Sequence, residues 1–114
     1  MKPLAPTLKE KKRYIGFEVI TDKAIKPSSL EKAAKRALFN YLGDLGMAKS
    51  GAFIISNLTK KNKLVVRTEL HYVNEIKAAM ILANRVDNSR VIFKSVATSG
   101  CLNKVNNKLY GDAS

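Results

Sequence analysis

The chain has 114 residues, 46% of them hydrophobic, and its 21 lysines and arginines outnumber its 9 acidic residues to give a formal charge of +12. This length and apolar share suit one domain spanning residues 1–114, and they exclude a disordered basic tail. Such an excess of positive charge attracts anions, so the expected partner is nucleic acid or an anionic membrane surface. The sequence has no signal-peptide pattern and no apolar window near the ~20 residues of a membrane span, which predicts a soluble, intracellular protein.

The first twenty residues divide into an arm and a strand. Residues 1–11 hold two of the three prolines and no periodic pattern, which predicts an N-terminal arm that is extended or docked on a partner. From Arg13 onward the pattern alternates, with Ile15, Phe17 and Val19 on one side and Tyr14, Gly16 and Glu18 on the other. Alternation with a period of two predicts a half-buried β-strand.

The segment KPSSLEKAAKRALFNYLGDLG predicts a helix with both ends marked. Ser28 is the expected N-cap, with Glu31 three residues later to complete a capping box, and Gly43 or Gly46 is the expected left-handed C-cap. Basic residues mark the face expected in solvent: Lys32, Lys35 and Arg36. Apolar residues at intervals of three and four mark the face expected in the core: Leu30, Ala33, Ala34, Ala37, Leu38, Tyr41, Leu42 and Leu45.

The second half of the chain predicts a hairpin, a helix and a strand, in that order. GAFIISNL and NKLVVRTEL flank the polar connection TKKN, as expected for two antiparallel strands with a cationic tip. YVNEIKAAMILANRV predicts a helix, because it carries an apolar stripe: Val73, Ile76, Ala79, Met80 and Ala83. After the turn VDNS, RVIFKSVATS predicts a fourth strand. The spacing of Leu102, Val105 and Leu109 then predicts one or two turns of a terminal helix within the segment 101–114.

The order strand, helix, strand, strand, helix, strand predicts the fold class. It is the βαββαβ arrangement of ferredoxin-like and RNA-recognition modules, an α+β sandwich with a four-stranded antiparallel sheet. Right-handed crossovers place both helices on one face of that sheet, and the other face is expected to be open.

Catalytic and metal sites find little support in this sequence. Cys101 is the single cysteine and His71 the single histidine, so a Cys/His pair would have to be assembled by the fold. We interpret Cys101 as a small residue beside Gly100, and His71 as a boundary residue, half packed and half in solvent. Carboxylates are few, and their spacing does not match that of metal ligands. Glycine-rich phosphate-binding loops are also missing. We therefore assign no catalytic residue, metal or cofactor to this chain.

The positive signal is the grouping of basic residues, which makes them candidates for phosphate contacts. Each Lys or Arg that neutralises a phosphate releases counterions, so several clusters on one surface give salt-sensitive affinity without sequence reading. The alternative for any single cluster is a solvated basic surface. The clusters lie at the start of strand one, at the hairpin tip and on strand four: Lys9, Lys11, Lys12 and Arg13; Lys60, Lys61 and Lys63; Arg90 and Lys94.

The open face of the predicted sheet is poor in aromatic residues that could stack on bases. Strand three offers Val65, Arg67 and Glu69 there, and strand one offers only Tyr14. Base stacking is therefore not expected, and Arg67 joins the candidate phosphate contacts. The apolar residues of this face suit covering by the terminal segments or by another protein: Val65, Ile92 and Val96.

Four stretches carry a resemblance to a known family: PTLKEKKRYIGFEVI, LVVRTELHYVNEIKAAMIL, NSRVIFKSVATSG and the basic stretch that follows. They resemble the archaeal ribonuclease P protein component 2 family, whose eukaryotic relatives serve ribonucleases P and MRP. The matching site residues are those of the basic start of strand one, the basic start of strand four, the SG turn and the basic stretch after it: Lys11, Lys12, Arg13, Arg90, Ser99, Gly100 and Lys104. The sequence departs from the family in Cys101, where a hydroxyl residue is common, and in a short, Asn-rich C-terminus.

The resemblance implies a non-catalytic subunit of the ribonucleoprotein that removes 5′ leaders from precursor tRNA in the cytoplasm, in which the RNA holds the active site and its Mg²⁺. It also implies the partners: the ribonuclease P RNA, precursor tRNA and protein component 3, in a complex with two copies of each protein and no membrane. Two alternatives stay open. One is a basic ferredoxin-like interaction or regulatory domain without a specific RNA, and the other is a small metal-free nuclease acting through His71.

Overall fold

The computed structural model describes residues 12–86 and 89–111. Its elements are β1 (Lys12–Ile20), α1 (Pro27–Ser50), β2 (Phe53–Ile54), β3 (Lys63–Glu69), α2 (Val73–Leu82), β4 (Arg85–Val86), β5 (Ser89–Arg90), β6 (Ile92–Ser99) and α3 (Leu102–Tyr110). The main sheet is four-stranded and antiparallel in the order β2-β3-β1-β6, which confirms the predicted α+β ferredoxin-like fold. None of the helices in these two ranges is long and apolar enough to cross a membrane.

The main core lies between this sheet and the helices α1 and α2. The alternation in β1 is confirmed, because Ile15, Phe17 and Val19 are buried and pack with residues of both helices, such as Leu38 and Ile76. Each fully buried side chain of this kind stabilises the folded state by about 1.5–3 kcal/mol. The core is therefore built by the period-two pattern of the strands meeting the period-3.6 stripes of the helices.

The ends of α1 differ from the prediction. The helix begins at Pro27, whose fixed φ suits a first helical position, so Ser28 lies inside the helix and is not its N-cap. The predicted capping box is therefore wrong, and Glu31 accepts a hydrogen bond from Ser56 Oγ at 3.1 Å. Gly43 has φ 73° and ψ 177° and kinks the helix without ending it, and Gly46 lies within the helix. The left-handed C-cap is Gly51, whose N–H donates to the carbonyl of Met47 at 3.1 Å.

The predicted core face of α1 is confirmed for Leu30, Ala34 and Leu38 and for the partly buried Leu42, and it is wrong for Tyr41 and Leu45. Leu30, Ala34 and Leu38 are buried, whereas Tyr41 and Leu45 remain 47% and 67% exposed. Leu45 follows the kink at Gly43, which breaks the phase of the apolar stripe. Tyr41 lies where α1 borders a groove between the two helices.

The predicted hairpin is shorter than its sequence pattern. β2 has only two residues, and the chain forms a 3₁₀ turn at Ser56–Leu58 before reaching the tip. There Lys61 and Asn62 both have positive φ, 53° and 57°, as in the tight two-residue turns that match the twist of antiparallel strands. The cationic tip is thus confirmed, and its geometry is a two-residue turn.

The predicted fourth strand is divided in two. Arg85 and Arg90 pair across a separate small hairpin formed by β4 and β5, and only β6 joins the main sheet. The placement of Arg90 on strand four beside Lys94 was therefore wrong. The predicted turn VDNS includes residues 87 and 88, which lie outside the described residues.

Helix α3 packs on the sheet face that was expected to be open. Val65 is fully buried beneath Val105 and Leu109. Gly16 permits this contact, because a Cβ there would lie 2.8 Å from Val105 Cγ1 and 2.8 Å from Leu109 Cδ1. The prediction of an open face is therefore wrong at the centre of this face. The alternative, that the terminal segment covers the face, is confirmed for Val65. Ile92, at the edge, stays 63% exposed.

Candidate nucleic-acid interface

The exposed side of α3 presents two lysines one helical turn apart. Lys104 and Lys108 are exposed, while Val105 and Leu109 on the opposite side are buried. Residues four apart on a helix are neighbours, so the two ammonium groups share one ridge. Lys104 was predicted as a contact residue, and Lys108 was missed although its i, i+4 spacing from Lys104 was visible in the sequence.

The hairpin tip lies at the C-terminal end of α3. Lys63 Nζ donates a hydrogen bond to the carbonyl of Leu109 at 2.6 Å, and the ammonium groups of Lys60 and Lys63 lie 5.2 and 5.4 Å from the centre of the Tyr110 ring. Cations are favoured near the C-terminus of a helix by its dipole. The basic cluster of the hairpin tip therefore holds α3 in place through Lys63. Lys61, at the turn itself, is exposed.

Tyr110 is the residue that the sequence did not single out. Its hydroxyl donates to the carbonyl of Leu58, and it also lies 3.2 Å from the carbonyl of Lys60. Burial raises the pKa of this phenol, and the contact with the Lys60 backbone lowers it by less. The end of α3 is thus tied to the hairpin tip by side-chain and backbone contacts across about fifty residues of sequence.

Two further predicted cations lie on the sheet beside α3: Lys94 and Arg67. Lys94 of β6 and Lys63 of β3 are both registered with Glu18 of β1, so this carboxylate lies between them on the same face. The guanidinium of Arg67 lies 5.3 Å from the centre of the Phe53 ring, a cation–π contact that restrains it. Because Glu18 offsets part of the charge on the sheet, the exposed cations of α3 and the tip are the stronger candidates for phosphates.

The start of β1 meets the SG turn at the N-terminal end of α3. Arg13 Nη1 donates to the carbonyl of Lys12 at 2.9 Å and lies 3.0 Å from the position of a Cβ on Gly100. Ser99 Oγ accepts the N–H of Cys101 at 3.0 Å and so shapes the turn into α3. Because Gly100 has no side chain, the guanidinium of Arg13 fits against it. The basic start of strand one and the SG turn therefore form one cluster.

The predicted site residues therefore fall into four groups. One group lies at the N-terminal end of α3: Lys12, Arg13, Ser99 and Gly100. Lys9 and Lys11 lie outside the described residues, and Arg90 lies on the β4–β5 hairpin, which is not part of the main sheet. The remaining predicted cations, together with Lys108, lie on α3, beside it or at the hairpin tip, and form what we call the α3 surface: Lys60, Lys61, Lys63, Arg67, Lys94, Lys104 and Lys108.

The two residues considered for catalysis belong to different connections of the fold. The side chain of His71 is 76% exposed, more than the half-packed position expected, and its Nδ1 lies 2.8 Å from Glu69 Oε2. Cys101 is exposed in the connection between β6 and α3. Within residues 12–86 and 89–111, no three His, Cys, Asp or Glu side chains are placed to hold a metal ion. The arrangement supports binding of an anion, and the described residues do not fit a metal site.

The chain is similar over most of its length to several curated proteins that share one name. The curated ribonuclease P protein component 2 of Thermococcus kodakarensis is 32% identical over 111 residues, which cover 97% of this chain and 92% of that protein. The protein of the same name from Pyrococcus abyssi is 31% identical, covering 95% of this chain and 92% of that protein. The one from Methanocaldococcus jannaschii is 28% identical, covering 97% and 81%.

Two further comparisons extend over most of the chain. A chain in the cryo-EM structure of yeast ribonuclease MRP superimposes with a TM-score of 0.63, covering 91% of this chain and 89% of that one, at 10% identity, which shows the same fold. The sequence profile of the Rpp14/Pop5 family matches residues 13–110. The family resemblance of the sequence motifs is confirmed. The chain therefore belongs to the Rpp14/Pop5 family and is a protein subunit of the ribonuclease P type.

Proposed function

We propose that this subunit binds the ribonuclease P RNA through its α3 surface and supports cleavage of the 5′ leader from precursor tRNA without taking part in the chemistry. The observation that carries the proposal is the ridge of Lys104 and Lys108, held against the sheet through Gly16 and flanked by cations at both ends of α3. A rigid mount fixes the spacing of these charges, which suits phosphates of a folded RNA better than a flexible tail does.

The mechanism is electrostatic. Lysines and arginines on the α3 surface neutralise phosphates that repel one another, so the RNA keeps its active conformation at a lower concentration of Mg²⁺. In this proposal the RNA uses the Mg²⁺ in the reaction, and the chain itself binds no cofactor. The complex acts in the cytoplasm and includes protein component 3, with two copies of each protein.

Reconstituted cleavage of precursor tRNA tests the proposal. The Mg²⁺ concentration for half-maximal leader cleavage is measured with the RNA alone, with the chain and component 3, and with the K104E/K108E variant of the chain. We expect the wild-type proteins to lower the Mg²⁺ requirement and the variant to lose most of this effect. If the RNA responds equally to the wild-type chain and the variant, the α3 surface is not the RNA-binding surface.

The salt dependence of RNA retention supplies a second measurement. Each phosphate contact contributes about −0.7 to −0.9 to the slope of log affinity against log salt. The K104E/K108E variant should therefore reduce the magnitude of the slope by about 2. A salt-insensitive association with protein, without RNA retention, would instead indicate a basic interaction domain.

A further inference from the structure

A groove with a volume of about 490 Å³ lies between α1, α2 and β4, on the side of the sheet opposite α3. Along α1 it is lined by residues at intervals of three and four, from Ser29 to Tyr41. Twelve residues of helix rise about 18 Å, so this stripe extends over roughly three helical turns. A groove of this length fits a row of side chains from a partner segment and is much longer than a single small anion.

The floor and the rim of the groove differ in chemistry. Small residues form the floor, with Ala33 and Ala37 on α1 facing Ala79 on α2. At the far side Leu82 is 67% exposed, which leaves apolar surface in contact with solvent. Small floor residues let a partner's aliphatic side chains approach closely, and exposed apolar surface rimmed by polar groups marks an interaction site.

The rim of the groove is positive. Lys32 and Arg36 lie one turn apart on α1, and Arg85 of β4 lines the same groove. Among the lining residues that the structure describes, none is acidic. Like charges four residues apart on a helix repel each other, so a partner that brings carboxylates between them relieves this repulsion. The charge complementarity thus selects an anionic partner.

We propose that this groove binds an acidic amphipathic segment of a protein, whose aliphatic side chains enter over the alanine floor while its carboxylates meet Lys32, Arg36 and Arg85. A phosphate backbone would satisfy the three cations, but it would gain nothing from covering Leu82 and the alanines. A segment laid along a groove with apolar side chains at helical intervals is a common mode of recognition. The chain therefore has two cationic surfaces of different purpose on opposite sides of its sheet.

A designed peptide tests the proposal on the full chain. The probe is an 18-residue helical peptide with one stripe of leucines flanked by glutamates, and its control is a peptide of the same composition in scrambled order. Both are titrated into ¹⁵N-labelled chain, and the amide signals are followed. We expect the probe, and not the scrambled peptide, to shift the signals of Ala33, Ala37, Ala79 and Leu82.

Two charge-reversal variants form a matched pair, because each reverses two exposed cations one turn apart on a helix. K32E/R36E should weaken binding of the leucine–glutamate peptide at least about tenfold and leave RNA retention unchanged. K104E/K108E should leave peptide binding unchanged and weaken RNA retention. L82D places a charge on an exposed side chain of the groove and should weaken peptide binding as well, which gives a second variant that does not depend on Lys32 or Arg36.

Three outcomes would overturn the proposal. The probe could fail to shift the groove signals, it could bind K32E/R36E as tightly as the wild-type chain, or K32E/R36E could lose RNA retention as K104E/K108E does. The last result would make the groove part of the RNA surface. The proposed function fails separately, through the Mg²⁺ requirement of the K104E/K108E variant, so the two proposals are distinguished.

Discussion

The two faces of the sheet differ in how much core they carry. On the α1/α2 face, fifteen of the described residues are buried in one cluster, including Phe17, Leu38 and Ile76. On the α3 face the corresponding hydrophobic cluster has three buried members among the described residues, Val65, Val105 and Leu109, and hydrogen bonds to the hairpin tip complete the attachment. The first face holds the fold together. The second holds one helix, and that helix carries the exposed lysines proposed to meet RNA.

Replacing a leucine with alanine on each face is the strongest way to test this difference. Leu38→Ala should lower the free energy of unfolding by about 3–5 kcal/mol, because it opens a cavity in the main core. Leu109→Ala should cost about 2 kcal/mol, and the loss should be confined to α3, because its neighbours can shift toward solvent. Chemical denaturation gives the free energies, and amide hydrogen exchange shows which elements open. Equal, global losses would show that the two faces form one cooperative unit.

Gly16 gives a sharper test, because it lies directly under α3. A Cβ at this position would lie 2.8 Å from the stiff side chain of Val105, so Gly16→Ala should push the helix outward and cost about 1–3 kcal/mol. We expect faster amide exchange in α3, unchanged exchange in α2, and weaker RNA retention. In a Leu109→Ala background the cost should fall, since that substitution makes room. Additive costs in the double variant would show that the close contact is not what destabilises Gly16→Ala.

The sequence predicted those features that depend on neighbours along the chain. The alternation in β1 and the stripe of α2 identified buried residues such as Phe17 and Ile76, because each pattern has the period of its own element. The capping box was wrong because the helix begins before Ser28, at Pro27, and Glu31 pairs instead with Ser56 twenty-five residues away. Local patterns cannot register such a contact.

The candidate site shows the same limit. The sequence grouped the lysines of the hairpin tip correctly, since the turn between two strands is a local feature. It could not show that Lys63 is engaged by the carbonyl of Leu109, forty-six residues further on. It placed Gly16 on the open face without indicating that α3 would cover it, because nothing near Gly16 in the sequence identifies its partner.

Substitutions of two lysines at the hairpin tip distinguish the attachment of α3 from contact with RNA. Lys63→Met removes the hydrogen bond to Leu109 and a positive charge at the C-terminus of α3, so it should destabilise that helix by about 1 kcal/mol. Lys61→Met is the matched control, because Lys61 is exposed in the same turn and should affect RNA retention alone. Amide exchange in α3 and filter retention of RNA are measured for both variants. Faster α3 exchange in Lys61→Met would remove the distinction.

The smallest expected effect is a pH dependence of the α3 face. Burial raises the pKa of Tyr110 above its ordinary value of 10.0, so the neutral phenol is favoured in the folded state. Its contribution to stability is therefore complete below pH 10 and is lost as pH rises through the folded-state pKa. The phenolate also cannot donate to the carbonyl of Leu58. A fluorophore on Cys101, which is exposed just before α3, should report loosening of the helix above pH 10.

Tyr110→Phe is the control for this titration, since lysines and other tyrosines also titrate in that range. The variant lacks the phenol, so its α3 should be slightly looser at neutral pH and should show no further step attributable to residue 110. The difference between the two curves isolates the tyrosine. If both proteins show the same step, the hydroxyl of Tyr110 is not its source, and the pH dependence predicted for the α3 face is wrong.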